Sequence, residues 1–191
     1  VIPDHYIEKW GADAFRTYLM FLGPFEEGGD FRDASISGVK RFLDRLWASV
    51  VVACDPATPY RPVDEDVIRK LHQTIQKVGD DIGKLSYNTA VAAMMELCNA
   101  IYDAKLEPET ATEIEFNAVN DAITSLVLML APFAPHVSEE LYCVIAGNND
   151  GILENNARFP VYNADIARSD EVEIAVQVNG KLRSRIFASP E

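Results

Sequence analysis

From Ile36 to Leu130, apolar residues recur at three- and four-residue steps, in runs separated by helix caps and proline breaks. That rhythm restricts the chain to helices packed on one another. The first and widest run is Ile36, Val39, Phe42, Leu43, Leu46, Trp47, Val50 and Val51, with Lys40, Arg41, Asp44, Arg45 and Ser49 off the stripe. "DPATPYRP" ends it, and Asp64 is placed to cap a second helix whose first turn holds Glu65 and Asp66. The second stripe is Val67/Ile68, Leu71, Ile75, Val78 and Ile82. A third helix starts near Ser86, and its Ala90, Ala92 and Ala93 let a neighbour approach closely. Thr110 with Glu113 forms a capping box for a fourth, with Val119, Ala122/Ile123, Leu126, Val127 and Leu130 inward. Pro132 stops that helix and Pro135 starts a fifth. The expected fold is mainly α, an antiparallel helical bundle with short links over residues 36–168.

The flanks differ. Residues 1–35 read as a connector of helix and loop: Gly11 ends one segment and Asp13 can cap the next. Tyr18, Leu19, Phe21 and Leu22 supply that segment's apolar face, Gly23-Pro24 stops it, and "PFEEGGDFRD" is loop by composition. In residues 169–191 the period changes to two. Val172, Ile174, Val176 and Val178 alternate with Glu173, Ala175 and Gln177, Asn179-Gly180 is a two-residue turn, and "KLRSRIF" returns. A lone hairpin is marginal in water. With Val1 at the start and "SPE" at the end, the expectation is a piece of a longer protein, its hairpin opening a truncated α+β domain.

Composition narrows the function. The chain of 191 residues is 48% hydrophobic, enough to bury a core, yet no apolar run approaches the roughly 20 residues that span a bilayer. There is no signal-peptide pattern, and three scattered cysteines (Cys54, Cys98, Cys143) suit a reducing compartment; a cytoplasmic protein with no membrane partner is expected. A net charge of −13 disfavours a general nucleic-acid binder. The charge is uneven, however. Residues 106–171 hold 12 acids against 2 bases, whereas residues 1–105 hold 16 against 12. An anion-binding surface therefore belongs in the first half or at the extreme C-terminus.

Within "APFAPHVSEELY", His136 with Glu139 and Glu140 makes H-x-x-E-E, which lacks the H-E-x-x-H spacing of zinc proteases. A helix start, with both glutamates favouring its N-terminus, explains the residues without a metal. No G-x-S-x-G or Walker loop occurs, and the acidic "EEGGDF" would repel phosphate. Neither catalytic residues nor metal ligands are expected. Arg41 and Arg45, four apart beside Lys40, can project one turn apart towards successive phosphates. On composition alone, a solvated face with Lys40 paired to Asp44 is the favoured account. Lys181, Arg183 and Arg185 form a second basic group, with Arg183 and Arg185 sharing one strand face opposite Leu182 and Ile186.

As a set, these residues resemble class I aminoacyl-tRNA synthetases. "VIPDHYIEKWGADAFRTYLMFLGPFEEGGDF" is similar to the segment following their KMSKS signature. "GVKRFLDRLW", "SYNTAVAAMMEL" and "LAPFAPHVSEELY" look like helices of the anticodon-binding domain. "MFLGPFEEGGDF" and "VQVNGKLRSRI" resemble the bacterial-type leucyl-tRNA synthetases; the isoleucine and valine enzymes, and a helical scaffold that binds no RNA, are the alternatives. The resemblance implies ATP-dependent leucylation by the whole protein, with ATP and Mg2+ as its cofactors. Lacking HIGH and KMSKS signatures and an editing insert, this chain is expected to be inactive alone. Its implied partners are leucine tRNA and the catalytic domain of the same chain. The family's tRNA-contacting arginines fall on Arg41 and Arg45, which reverses the reading from composition. Because leucine has six codons, backbone and shape contacts are expected over anticodon readout.

Overall fold

The computed structural model describes residues 2–54, 65–103, 113–168, 172–178 and 181–188, with side chains described over 2–54, 65–103 and 121–168. Helix α1 (Pro3–Trp10) begins on a proline, whose missing N–H costs nothing at that position. It ends at Gly11, where φ is +88° and the glycine N–H reaches Ile7 O at 2.9 Å. Helix α2 (Ala12–Phe21) follows at once. Its buried residues are Asp13, Ala14, Phe15, Thr17 and Tyr18, while Leu19 is 46% exposed, so the inward face differs from the expected one. Asp13 does not cap α2 either; it is turned inward, towards another helix.

The loop after α2 folds back tightly. Pro24 O accepts the N–H groups of Glu27 and Gly28 at 3.1 and 3.0 Å. A Cβ on Gly23 would stand 2.5 Å from Gly28 O, and one on Gly29 would stand 2.6 Å from Leu22 Cβ. These glycines serve close backbone approach. Tyr18 Oη fastens the far end, receiving Arg32 N–H at 2.9 Å and donating to Arg32 O at 2.8 Å. A 3-10 turn (Asp33–Ser35) then leads into α3 (Ile36–Cys54).

Helices α4 (Glu65–Gly83), α5 (Tyr87–Asp103), α6 (Glu113–Leu130) and α7 (Pro135–Ala146) complete the core. The capping roles expected of Asp64 and Thr110 fall outside the described residues. α4 and α5 make the most extensive helix–helix contact, and the buried Ala90 and Ala93 stand on α5. One core cluster holds Leu43, Leu46 and Val50 of α3, Leu71, Ile75 and Val78 of α4, Met94 and Leu97 of α5, and Leu126 and Leu130 of α6. Each fully buried side chain of this kind contributes about 1.5–3 kcal/mol relative to an exposed one. The α3 stripe is narrower than expected: Trp47 is 40% exposed and Val51 47%, because the packed neighbours cover only the Leu43–Leu46–Val50 side. A second cluster joins Phe15 and Tyr18 of α2 to Ile36 and Val39 of α3.

Beyond α7 the chain crosses α4. Asn163 N–H donates to His72 Nδ1 at 3.1 Å, and Gln73 Nε2 donates to Ala167 O at 2.9 Å. A short helix here, α8 (Ala164–Ala167), has no counterpart in the sequence reading; the Asn163 side chain caps it. Strands β1 (Val172–Val178) and β2 (Lys181–Ala188) pair antiparallel, with Val178 opposite Lys181. Val176 pairs with Ser184 and Gln177 with Leu182, so the register skips Arg183. This one-residue skip is a β-bulge on β2.

Candidate nucleic-acid interface

The "APFAPH" stretch is a helix break and restart built around a carboxylate from elsewhere. The N–H groups of Phe133 and Ala134 close on Leu130 O at 2.8 and 2.9 Å, and α7 begins at Pro135. No side chain of the stretch itself caps α7. Asp13 of α2 does so: Oδ2 accepts Val137 N–H at 2.7 Å, and Oδ1 stands 3.0 Å from His136 Nδ1. Arg16 pairs with the same carboxylate, which is only 5% exposed. Thr17 Oγ1 donates to Phe133 O at 3.2 Å, stitching α2 to the turn a second time. The expectation that Glu139 and Glu140 favour the helix start is therefore corrected. The first turn of α7 holds no acid, and Glu139 instead accepts Ile152 N–H at 2.5 Å. The helix N-terminus receives its negative charge from Asp13.

Among the described residues, no group of three or more His, Cys, Asp or Glu stands ready to hold a metal ion. Burial pushes the Cys98 thiol up to about 11 and also raises Cys54, the opposite of nucleophile activation. A cavity of about 550 Å³ lies between the α2 end, the glycine loop and the Pro132–Phe133 turn, lined by Leu19, Phe25, Ile82 and Tyr87 among others. Among the described residues, no carboxylate, imidazole, thiol or amine lines it.

The basic residues of α3 separate into three situations. Lys40 is paired to Asp44 one turn on, an exposed ion pair worth about 0.3–0.5 kcal/mol. Arg41 is exposed, and among the described residues it has no ion pair. Arg45 is half-buried and engaged: its guanidinium donates to Asn99 Oδ1 and stacks over the Tyr102 ring, 4.8 Å from the centroid. Both partners belong to α5, a helix whose sequence carried no sign of this contact. Residues i and i+4 of a helix share a face, so Arg41 and Arg45 lie one turn apart. Lys181, Arg183 and Arg185 sit on β2, and their side chains lie outside the described residues.

Residues 64–190 match the family described as the anticodon-binding domain of tRNA ligase. The chain belongs to that family. Its relatives include a leucine–tRNA ligase of Dehalococcoides mccartyi, 40% identical over 186 residues, covering 97% of this chain and 22% of the relative. Another, from Prosthecochloris aestuarii, is 42% identical over 191 residues, covering 98% and 22%. The chain thus spans about a fifth of these relatives' length. Among solved structures, the ternary complex of Agrobacterium radiobacter K84 agnB2 LeuRS with tRNA and LeuAMS matches with a TM-score of 0.70. That match is 26% identical and covers 99% of this chain and 25% of the other. The mainly helical fold agrees with it.

Proposed function

We propose that this chain is the tRNA-docking part of a leucine–tRNA ligase. In this reading residues 36–168 form the helical bundle of the anticodon-binding domain, residues 1–35 connect it to the catalytic domain, and β1–β2 open a small C-terminal domain. The observation that carries it is that exposed Arg41 and half-buried Arg45 stand one turn apart on α3, in a chain about 40% identical to leucine–tRNA ligases along nearly its whole length. Two guanidiniums one turn apart match the spacing of successive phosphates, and phosphate contacts fix register without reading bases. The acidic stretch 106–171 would face away from RNA. Leucine activation, with its ATP and Mg2+, then belongs to the catalytic domain, and this chain alone neither activates nor transfers leucine. The cytoplasm is the compartment that goes with that role.

The test is titration of leucine tRNA and a non-cognate tRNA into the full-length protein at two salt concentrations. Binding should weaken as salt rises. Replacing Arg41 and Arg45 together by Ala should lower the salt slope by about one to two units. An unchanged slope would mean that the pair is solvated surface.

A further inference from the structure

Arg45 shows a feature that its spacing from Arg41 does not require. It is held in one pose by two residues of another helix, Asn99 through a hydrogen bond and Tyr102 through its ring face. A guanidinium carries five N–H donors in a rigid planar fork. One terminal nitrogen of that fork donates to Asn99, and its central carbon lies over the Tyr102 ring, 4.8 Å from the centroid. Its other donors are uncommitted among the described residues, and Arg41 stands one turn away on the same helix. A long side chain otherwise loses considerable rotamer freedom when it grips a ligand, and immobilising it beforehand removes that cost. Tyr102 is 54% exposed, so its ring contributes little to the core.

We propose that Asn99 and Tyr102 are positioning residues that pre-organise the Arg45 guanidinium for a backbone phosphate of the bound tRNA. This rests on the RNA-binding reading given above. Tyr102 works through its ring, as a surface on which the guanidinium lies; its hydroxyl is not needed. Asn99 works through its side-chain oxygen, as an acceptor that fixes rotation of the fork. Neither residue touches the phosphate.

Four variants of the full-length protein, titrated with leucine tRNA at two salt concentrations, test it: Arg45→Ala, Tyr102→Leu, Tyr102→Phe and the double variant Arg45→Ala/Tyr102→Leu. Arg45→Ala should weaken binding about tenfold and lower the salt slope by about one. Tyr102→Leu should weaken it about two- to fivefold, the range set by an exposed cation–π contact. Tyr102→Phe, which keeps the ring, should bind as the parent does. The double variant should bind no more weakly than Arg45→Ala alone, because Tyr102 then has nothing to position. If Tyr102→Leu costs the same with Arg45 absent, Tyr102 contacts RNA directly and the positioning role is overturned. If Arg45→Ala weakens binding while Tyr102→Leu does not, the positioning role falls and the RNA reading stands. If Arg45→Ala changes nothing, Arg45 grips no phosphate and the positioning role falls, while binding of leucine tRNA by the parent protein leaves the RNA reading standing. Half-exposed Tyr102 leaves the core intact when replaced, and thermal unfolding of each variant confirms that loss of binding is not loss of fold.

Discussion

Two clusters join charged side chains across helices remote in sequence, and they differ in what is left over. At the α2–α7 junction Asp13 is 5% exposed, and both its oxygens are used, by Val137 N–H and His136, with Arg16 pairing alongside. At the α3–α5 junction Arg45 is half-buried, donates from one terminal nitrogen to Asn99, lies over the Tyr102 ring, and stands a turn from an exposed Arg41. The Asp13 carboxylate has no free oxygen left, so its interactions hold the fold, while the Arg16 and His136 side chains beside it remain 39% and 75% exposed. The second cluster has donors to spare, so its geometry suits a partner. Burial and saturation of the polar groups separate a structural charge from an available one, and net charge does not.

The sharpest way to break this contrast is to remove each centre and ask which observable moves. Asp13→Ala strips a buried charge-assisted acceptor from Val137 N–H and leaves Arg16 without its partner. A loss of about 3 kcal/mol in unfolding free energy is expected, read from urea denaturation. Asp13→Asn, which keeps an acceptor, should lose less. Conversely, Arg41→Ala with Arg45→Ala should weaken leucine tRNA binding at least tenfold, about 1.4 kcal/mol or more, while unfolding shifts by under about 1 kcal/mol. The contrast collapses if the arginine variant unfolds easily, or if Asp13→Asn changes the salt slope of binding. Smaller still, Tyr102→Leu should affect binding without affecting stability, which places the aromatic with the available cluster.

What could be read in the sequence, and what could not, follows from the range of each signal. Starts and stops of helices are local, so Gly11, Gly23-Pro24, Pro132 and Pro135 mark boundaries that the structure keeps. Periodicity is local too, but it overstates burial where no neighbour arrives. Trp47 and Val51 extend the α3 stripe and remain exposed for that reason. Asp13 misleads because a carboxylate near a helix start can cap that helix or any other within reach. It caps one 124 residues away, and no spacing rule reports that. The face shared by Arg41 and Arg45 was legible from a four-residue interval. Asn99 and Tyr102 were not, since they lie 54 and 57 positions from Arg45 and meet it only once α3 and α5 pack.

The segment after α7 supplies the smallest expected effect and lies between the two clusters in character. Asn163 N–H donates to His72 Nδ1, which requires that nitrogen to be unprotonated. Burial lowers the His72 pKa from its ordinary 6.5, so the folded protein resists a proton that the unfolded chain accepts. The unfolded state therefore binds more protons just below neutrality, and stability rises with pH across that window. The contribution is fully present above 6.5 and fades as pH falls through 6.5 and the lower folded value. Urea midpoints compared at about pH 7 and about pH 5.5 should show a modest loss on acidification, and His72→Gln should flatten that difference. An identical pH response in the variant would mean that the crossing segment is held by Gln73 and α8 alone, with His72 a bystander.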